Sequence, residues 1–202
     1  TGVGIITGML GAGFYHCLMG ATDFRQEHPI LILGLPLGGL LIVFLYHAFG
    51  REHDKGTNTV IAAVRQEDTI SWKMAPLIFI GTIITHFFGG SAGREGAALQ
   101  MGGSIGNGIA KALKMDKKSI TMMIMCGMSG MFAALFGTPM ASAVFAMEMV
   151  SVGILYYAAL VPCVVSSLVA AEVAKALGGH AEHFTVLNMP ELTFTSTWKI
   201  VV

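Results

Sequence analysis

Charge is what this chain has least of. Only 12% of its 202 residues are charged, twelve acidic against twelve basic, and the net charge is zero. Soluble domains commonly carry about 25% charged residues, so composition argues against a water-soluble globule. The neutral balance also argues against nucleic acid as a partner, because no excess of cations is available for phosphates. Cysteine is scarce as well. Cys17, Cys126 and Cys163 stand in apolar stretches with no CxxC or CxxH spacing, which fits buried structural thiols rather than a redox or metal site. No basic segment precedes the first apolar stretch, so no cleavable leader is expected. No nucleophile–base pair or ligand cluster is visible, so neither an enzyme nor a metal or cofactor is expected.

What the chain has in abundance is apolar and small. Hydrophobic residues make up 54% and there are 26 glycines, with a mean hydropathy of +0.70. Several apolar stretches reach the length of a membrane-spanning helix. Glycine suits membrane helices whose backbones approach closely. Open strands cannot cross hydrocarbon and these segments are too long and uniform for barrel strands. The expected fold is therefore an all-α, polytopic membrane protein.

Along the chain, residues 1–20 predict a glycine-rich helix and 21–29 a polar connection ending in Pro29. Residues 30–49 predict a second span with Pro36 near its start. The polar stretch GREHDKGTNT leads into a short helix, VIAAVRQ, too short to cross about 30 Å at about 1.5 Å per residue. A third long apolar helix runs from about Trp72 to Phe88, and a small-residue helix from the Gly89-Gly90 break to about Leu113. A charged turn, KMDKKS, precedes the Met-rich ITMMIMCGMSGMFAALF. Gly137-Thr138-Pro139 breaks that helix before MASAVFAMEMV, and 152–177 form another long span. Residues 178–197 read as a polar extramembrane connection, and TWKIVV as the start of a further helix. The chain begins without Met and stops inside an apolar run, so it is expected to be a piece of something longer. Helices of unequal length, broken by Gly and Pro, suit transporters that aim half-helix ends at a midplane site.

The stretch GGSAGREGAALQ places Arg94 and Glu95 among residues with almost no side chain. A helix starting there exposes unpaired N–H groups and about half a positive charge, which is a ready anion site. Gly93, Gly96 and Ala97 let backbone approach the ion. An ionisable residue at membrane depth points to function. Glu95 can occupy the site itself, and leave when protonated or displaced by an anion. The plainer alternative is that Glu95 caps the helix or pairs with Arg94. Gly56-Thr57-Asn58-Thr59 opens the short helix with groups that serve either as ordinary caps or as anion donors. Gly137-Thr138-Pro139 opens a third, with Pro in the first turn.

GREGA with its leading GGSAG resembles the GREGP motif of the CLC family of anion channels and anion/proton antiporters. The polar entrance KGTNT about forty residues upstream, and GMSGMFAALFGTPMASAVFAMEMV downstream, are similar to that family's flanking segments. The resemblance covers nearly the whole chain and implies one domain, residues 1–202, the N-terminal inverted repeat of a CLC-type transporter. It implies that Glu95 is the gating, proton-exchanging glutamate, with Gly93, Arg94, Gly96 and Ala97 as its motif neighbours. It places Gly56 to Thr59 at the segment whose serine holds the central anion, with Thr57 or Asn58 in the serine's place. Thr138 is a secondary candidate, and Glu148 resembles the glutamate closing the family's eighth helix. Met149 stands where chloride antiporters often carry an inner proton-transfer glutamate. GREGA for GREGP and the missing serine resemble the short bacterial branch that exports fluoride against protons. The implied partners are fluoride or chloride, the proton and membrane lipid, in a bacterial inner membrane. The family's second repeat is expected to be missing, so the chain pairs either with a separate C-terminal half or antiparallel with a second copy. Two other functions stay open: a passive anion channel, and a non-transporting assembly fragment.

Among the remaining features, methionines clustered at 115–149 read as core packing. His180, Glu182 and His183 read as a solvated loop without a third metal ligand. His16, His47 and His86 read as residues at or near helix ends. Lys111, Lys114, Lys117 and Lys118 form one basic group, and Arg51, Lys55 and Arg65 a second. The sequence alone does not say whether both face the same side of the membrane.

Overall fold

A computed structural model describes residues 1–51, 54–65, 70–149, 156–179 and 198. The described elements are all helical: α1 (Gly2–Glu27), a 3-10 turn (Pro29–Gly34) running into α2 (Leu35–Ala48), α3 (Thr57–Val64), α4 (Met74–Phe87), α5 (Arg94–Ala112), α6 (Lys117–Phe136), α7 (Pro139–Glu148), and a 3-10 turn (Tyr157–Ala159) running into α8 (Leu160–Ala176). Counting those turns, four described segments are long and apolar enough to cross a membrane: Gly2–Glu27, Pro29–Ala48, Lys117–Phe136 and Tyr157–Ala176. At about 1.5 Å per residue, α3, α4 and α7 are too short to do so.

Helix ends follow local chemistry. The predicted connection 21–29 is helical as far as Glu27, because Asp, Arg, Gln and Glu are tolerated in helices and only Pro29 removes a backbone donor. Gly137 closes α6 in the left-handed region at φ 67°, where glycine avoids a Cβ clash. The third glycine-marked opening is thus a stop followed by a start: Thr138 takes the N-cap of α7 and Pro139 its first position.

Small residues set how closely the helices approach. The α5–α6 hairpin is antiparallel, with Gly102 backbone-to-backbone against Gly127 and Gly106 against Met123. On the other side of α6, Gly130 faces the hydroxyls of Thr7 and Ser166, and Gly4 and Gly8 of α1 lie on Ser166 and Ala170 of α8. Polar groups caught in this packing find carbonyls across it. The Ser166 hydroxyl donates to the Cys126 carbonyl (2.8 Å), and the Ser129 hydroxyl to the Cys163 carbonyl (3.2 Å). Cys126 and Cys163 are buried here, whereas Cys17 is exposed on α1. Part of the methionine cluster packs the core, with Met125, Met128, Met131 and Met147 buried, whereas Met115 and Met140 are exposed. In contrast, α2 is almost bare, with Leu33, Leu37, Leu40, Val43 and Phe44 exposed around it.

Helix directions bring Arg51 and Arg65 to the same end as Lys111, Lys114, Lys117 and Lys118. The first residues of α4 meet the last of α5, where Gly108 adjoins Trp72. The start of α6 meets the end of α3, where the Thr121 hydroxyl donates to the Val64 carbonyl (3.3 Å). Phe88 lies on Gly34 and Gly38, so α2 and α4 are antiparallel and Arg51 shares that end. These charges therefore add, whereas Lys55 precedes the entrance of α3 beside the start of α5. His16 also differs from expectation. It lies inside α1, and its Nε2 donates to the Leu177 carbonyl (2.9 Å) where α8 stops.

Candidate anion site at two helix entrances

The first entrance is that of α5. Gly93 takes the N-cap with extended backbone (φ −66°, ψ 139°), and Glu95 is the acidic residue of the first turn. Glu95 is exposed and Arg94 half-buried. The Glu95 Oε2 folds back to 3.2 Å from where a Cβ on Gly93 would sit. The missing side chain at Gly93 is thus the space into which the carboxylate turns, over N–H groups that carry partial positive charge. Ala97 is buried one turn further in.

The second entrance is that of α3. Gly56 is its N-cap at φ 63°, ψ −132°, a conformation that side chains rarely adopt. The approach is local and specific. Asp54 Oδ1 accepts the Gly56 N–H (2.8 Å) and the Thr59 hydroxyl (3.4 Å), while the Thr59 oxygen accepts the Lys55 N–H (3.2 Å). Thr59 therefore serves the turn. Asp54 is a residue the sequence reading missed; an Asp two positions before a Gly-Thr helix start is a recognisable cap signal. Its charge already favours this helix end, so an incoming anion here competes with a resident carboxylate.

The two entrances meet. A Cβ on Gly96 would lie 3.3 Å from the Thr57 hydroxyl oxygen, and one on Gly56 would lie 4.0 Å from both head atoms of Gln100. Of the two candidates for the anion-site serine's place, Thr57 faces α5 and Asn58 is exposed. Gln100, also missed in the sequence, donates its Nε2 to the Gly96 carbonyl (3.1 Å). That bond uses one amide hydrogen and leaves the second between the helix ends. The signal was its spacing, one helical turn beyond Gly96. A cavity of about 300 Å³ opens beside this junction, walled by Tyr46, Thr82 and Thr85 together with Gly93, Gly96 and Gln100.

The secondary candidates fall elsewhere on the bundle. Thr138 is exposed, and its carbonyl accepts the Ser142 hydroxyl (2.6 Å). Glu148 is exposed at the far end of α7, which packs on α6 and α8. A carboxylate at a helix C-terminus opposes the macrodipole. His180, Glu182 and His183 lie outside the described residues, as does TWKIVV apart from the helical Trp198.

Short helices among longer apolar ones, with two N-termini converging beside an ionisable residue, are the architecture by which membrane transporters aim helix ends at a site. A family model described as voltage gated chloride channel matches residues 38–202, and the chain belongs to this CLC family. It is 34% identical over 200 residues to a "Chloride/fluoride channel protein" of Pseudomonas syringae pv. tomato, covering 98% of this chain and 44% of the relative. It is 27% identical to an "H(+)/Cl(-) exchange transporter ClcA" of Vibrio cholerae, over 94% of this chain and 43% of that protein. The crystal structure of a CLC-type fluoride/proton antiporter superimposes with a TM-score of 0.87 at 32% identity, covering 98% of this chain and 51% of that one. A slow cyanobacterial Cl-/H+ antiporter shares the fold, with a TM-score of 0.77 at 21% identity. The chain spans about half the length of the relatives it matches.

Proposed function

We propose that this chain is the N-terminal repeat, residues 1–202, of an anion/proton antiporter in which Glu95 is the gate. The observation that carries the reading is the meeting of two helix entrances, with the Thr57 hydroxyl 3.3 Å from the Gly96 Cβ position and Glu95 in the first turn of α5. Deprotonated, Glu95 occupies the α5 end and excludes a second anion by like charge. Protonated, it loses its attraction to the helix dipole and swings away. An anion then takes the place, held by first-turn N–H groups of α5, by Thr57 and by the second amide hydrogen of Gln100. One proton is thereby exchanged against anion entry. The two relatives at 32–34% identity carry fluoride in their descriptions, one of them together with chloride, while those cited at 21–27% carry chloride without fluoride. This favours fluoride as the anion.

The counterpart site lies in a C-terminal half or in a second copy inserted antiparallel; crosslinks confined to parallel pairs or monomers defeat the second arrangement. The basic end, with Arg51, Lys111, Lys114, Lys117 and Lys118, faces the cytoplasm of a bacterial inner membrane. The deciding experiment is fluoride and chloride efflux from liposomes with a proton gradient. Glu95→Gln is expected to abolish proton movement while anion flux persists. Proton movement at an unchanged ratio in that variant refutes the mechanism. The name of the Pseudomonas relative favours one second reading, a passive channel, for which wild-type reversal potentials stay fixed when the proton gradient is changed.

A further inference from the structure

At the basic end, away from the two helix entrances, a cavity of about 700 Å³ opens between α4 and α5, within the size range of about 300–1,000 Å³ common for ligand sites. Arg51, Ser71, Trp72 and Lys111 stand at its polar side, and Ala75, Pro76 and Ile105 form its apolar wall. The described lining holds two cations and no carboxylate. The buried Asn107 amide gives one of its hydrogens to the Ile70 carbonyl (2.5 Å). Ala75, Pro76 and Ile105 also line a second cavity of about 380 Å³, completed by Leu10, Phe79 and Ile80 and wholly apolar. The two spaces thus share a wall. Ile80 lies six residues beyond Met74 at the start of α4, about 9 Å deeper along the helix.

The order along this path is cation, indole, hydrocarbon. Trp72 is 66% exposed, as tryptophan commonly is at the headgroup level of a bilayer. Lys111 alone has a simpler explanation, since a cation in the last turn of α5 complements the helix dipole. Arg51, just past the C-terminal end of α2, gains in the same way, but helix dipoles do not account for both cations lining one cavity that adjoins an apolar compartment. A free phosphate would leave the apolar compartment unfilled, and an uncharged headgroup would leave two cations unanswered.

We propose that this double cavity is a binding site for an anionic phospholipid, its phosphate between Arg51 and Lys111 and one acyl chain in the compartment of Leu10, Phe79, Ile80 and Ile105. Basic residues near an anionic membrane surface each strengthen binding about fivefold, so the pair raises affinity for an anionic over a zwitterionic lipid about 25-fold.

The test uses the full chain in detergent, carrying Trp198→Phe, which leaves Trp72 as its sole tryptophan. Fluorescence quenching is titrated with phosphatidylglycerol and with phosphatidylcholine carrying the same brominated chains. The expected result is quenching by phosphatidylglycerol at about 25-fold lower concentration. Arg51→Gln with Lys111→Gln removes that preference and keeps residual quenching by either lipid, whereas Lys117→Gln with Lys118→Gln, the same charge loss outside the cavity, leaves it intact. The proposal is overturned by equal quenching by both lipids in the parent protein, or by no quenching by either. It is also overturned if the two double variants behave alike, or if glycerol phosphate without chains displaces the brominated lipid at the lipid's own concentration.

Discussion

Adding one methyl group to α5 at Gly102 should separate α5 from α6. A Cβ built there runs into the Gly127 carbonyl of α6 and stands 2.8 Å from the Met131 Cβ. The carbonyl is bound into its own helix and cannot rotate aside, so the helices must part by about an ångström. Overpacking of this kind costs about 1–3 kcal/mol, and the widened gap forfeits a quarter to a half of each dispersion contact along it. Against this, alanine is a better helix residue than glycine by about 0.5–1 kcal/mol. The net expectation for Gly102→Ala is a loss of about 1–2 kcal/mol, or about 2–8 °C in Tm for a chain of this size. Gly13 on α1 supplies the control, because no atom lies within 4 Å of its Cβ position. Gly13→Ala should leave Tm unchanged or raise it. Thermal unfolding of both variants in one detergent, followed by loss of the monodisperse chromatographic peak, measures the difference. Equal Tm values for Gly102→Ala and the parent, or a larger drop for Gly13→Ala, refute the claim that direct backbone contact sets the α5–α6 spacing.

Gln100→Leu removes the donor between the two helix ends and should weaken anion binding about tenfold to a hundredfold, since a hydrogen bond to a charged group is worth about 1.5–3 kcal/mol. Anion dependence of efflux reads this, and an unchanged half-saturation removes Gln100 from the site. Gly96→Ala would bring a methyl to 3.3 Å from the Thr57 hydroxyl, and is expected to lower anion flux with little change in Tm; parent-like flux means that the ion passes elsewhere. At the turn before α6, the Ser119 hydroxyl donates to Asp116 (2.5 Å) and holds its carboxyl below the ordinary carboxylate range. A depressed carboxylate stabilises the fold above its unfolded pKa, and this contribution is lost as pH falls through the lower folded value. Ser119→Ala should therefore raise the Asp116 midpoint in a carbon-detected NMR titration, and an unmoved midpoint rules out the hydroxyl as the cause.

Much of the architecture is written in short-range signals. Apolar runs of spanning length, the stops at Gly89-Gly90 and Gly137-Thr138-Pro139, and the isolated charges of GREGA each act within a few residues, so they are legible along one dimension. They fixed the all-helical membrane character and the two glycine-led entrances. They failed at residues 21–27, because polarity does not end a helix when the residues are good helix formers; Pro29 decided that boundary. Only the tertiary structure shows that Thr57 rather than Asn58 faces α5, since which face of a short helix meets α5 depends on how the two helices cross. It alone brought Gln100 from the second turn of α5 to the mouth of α3, about forty residues earlier in the chain. It also set Arg51 at the same end as the lysine cluster, because α2, α4 and α5 alternate in direction around close-packed glycines. Sequence named the charged and small residues available for a site, and helix packing selected which of them meet.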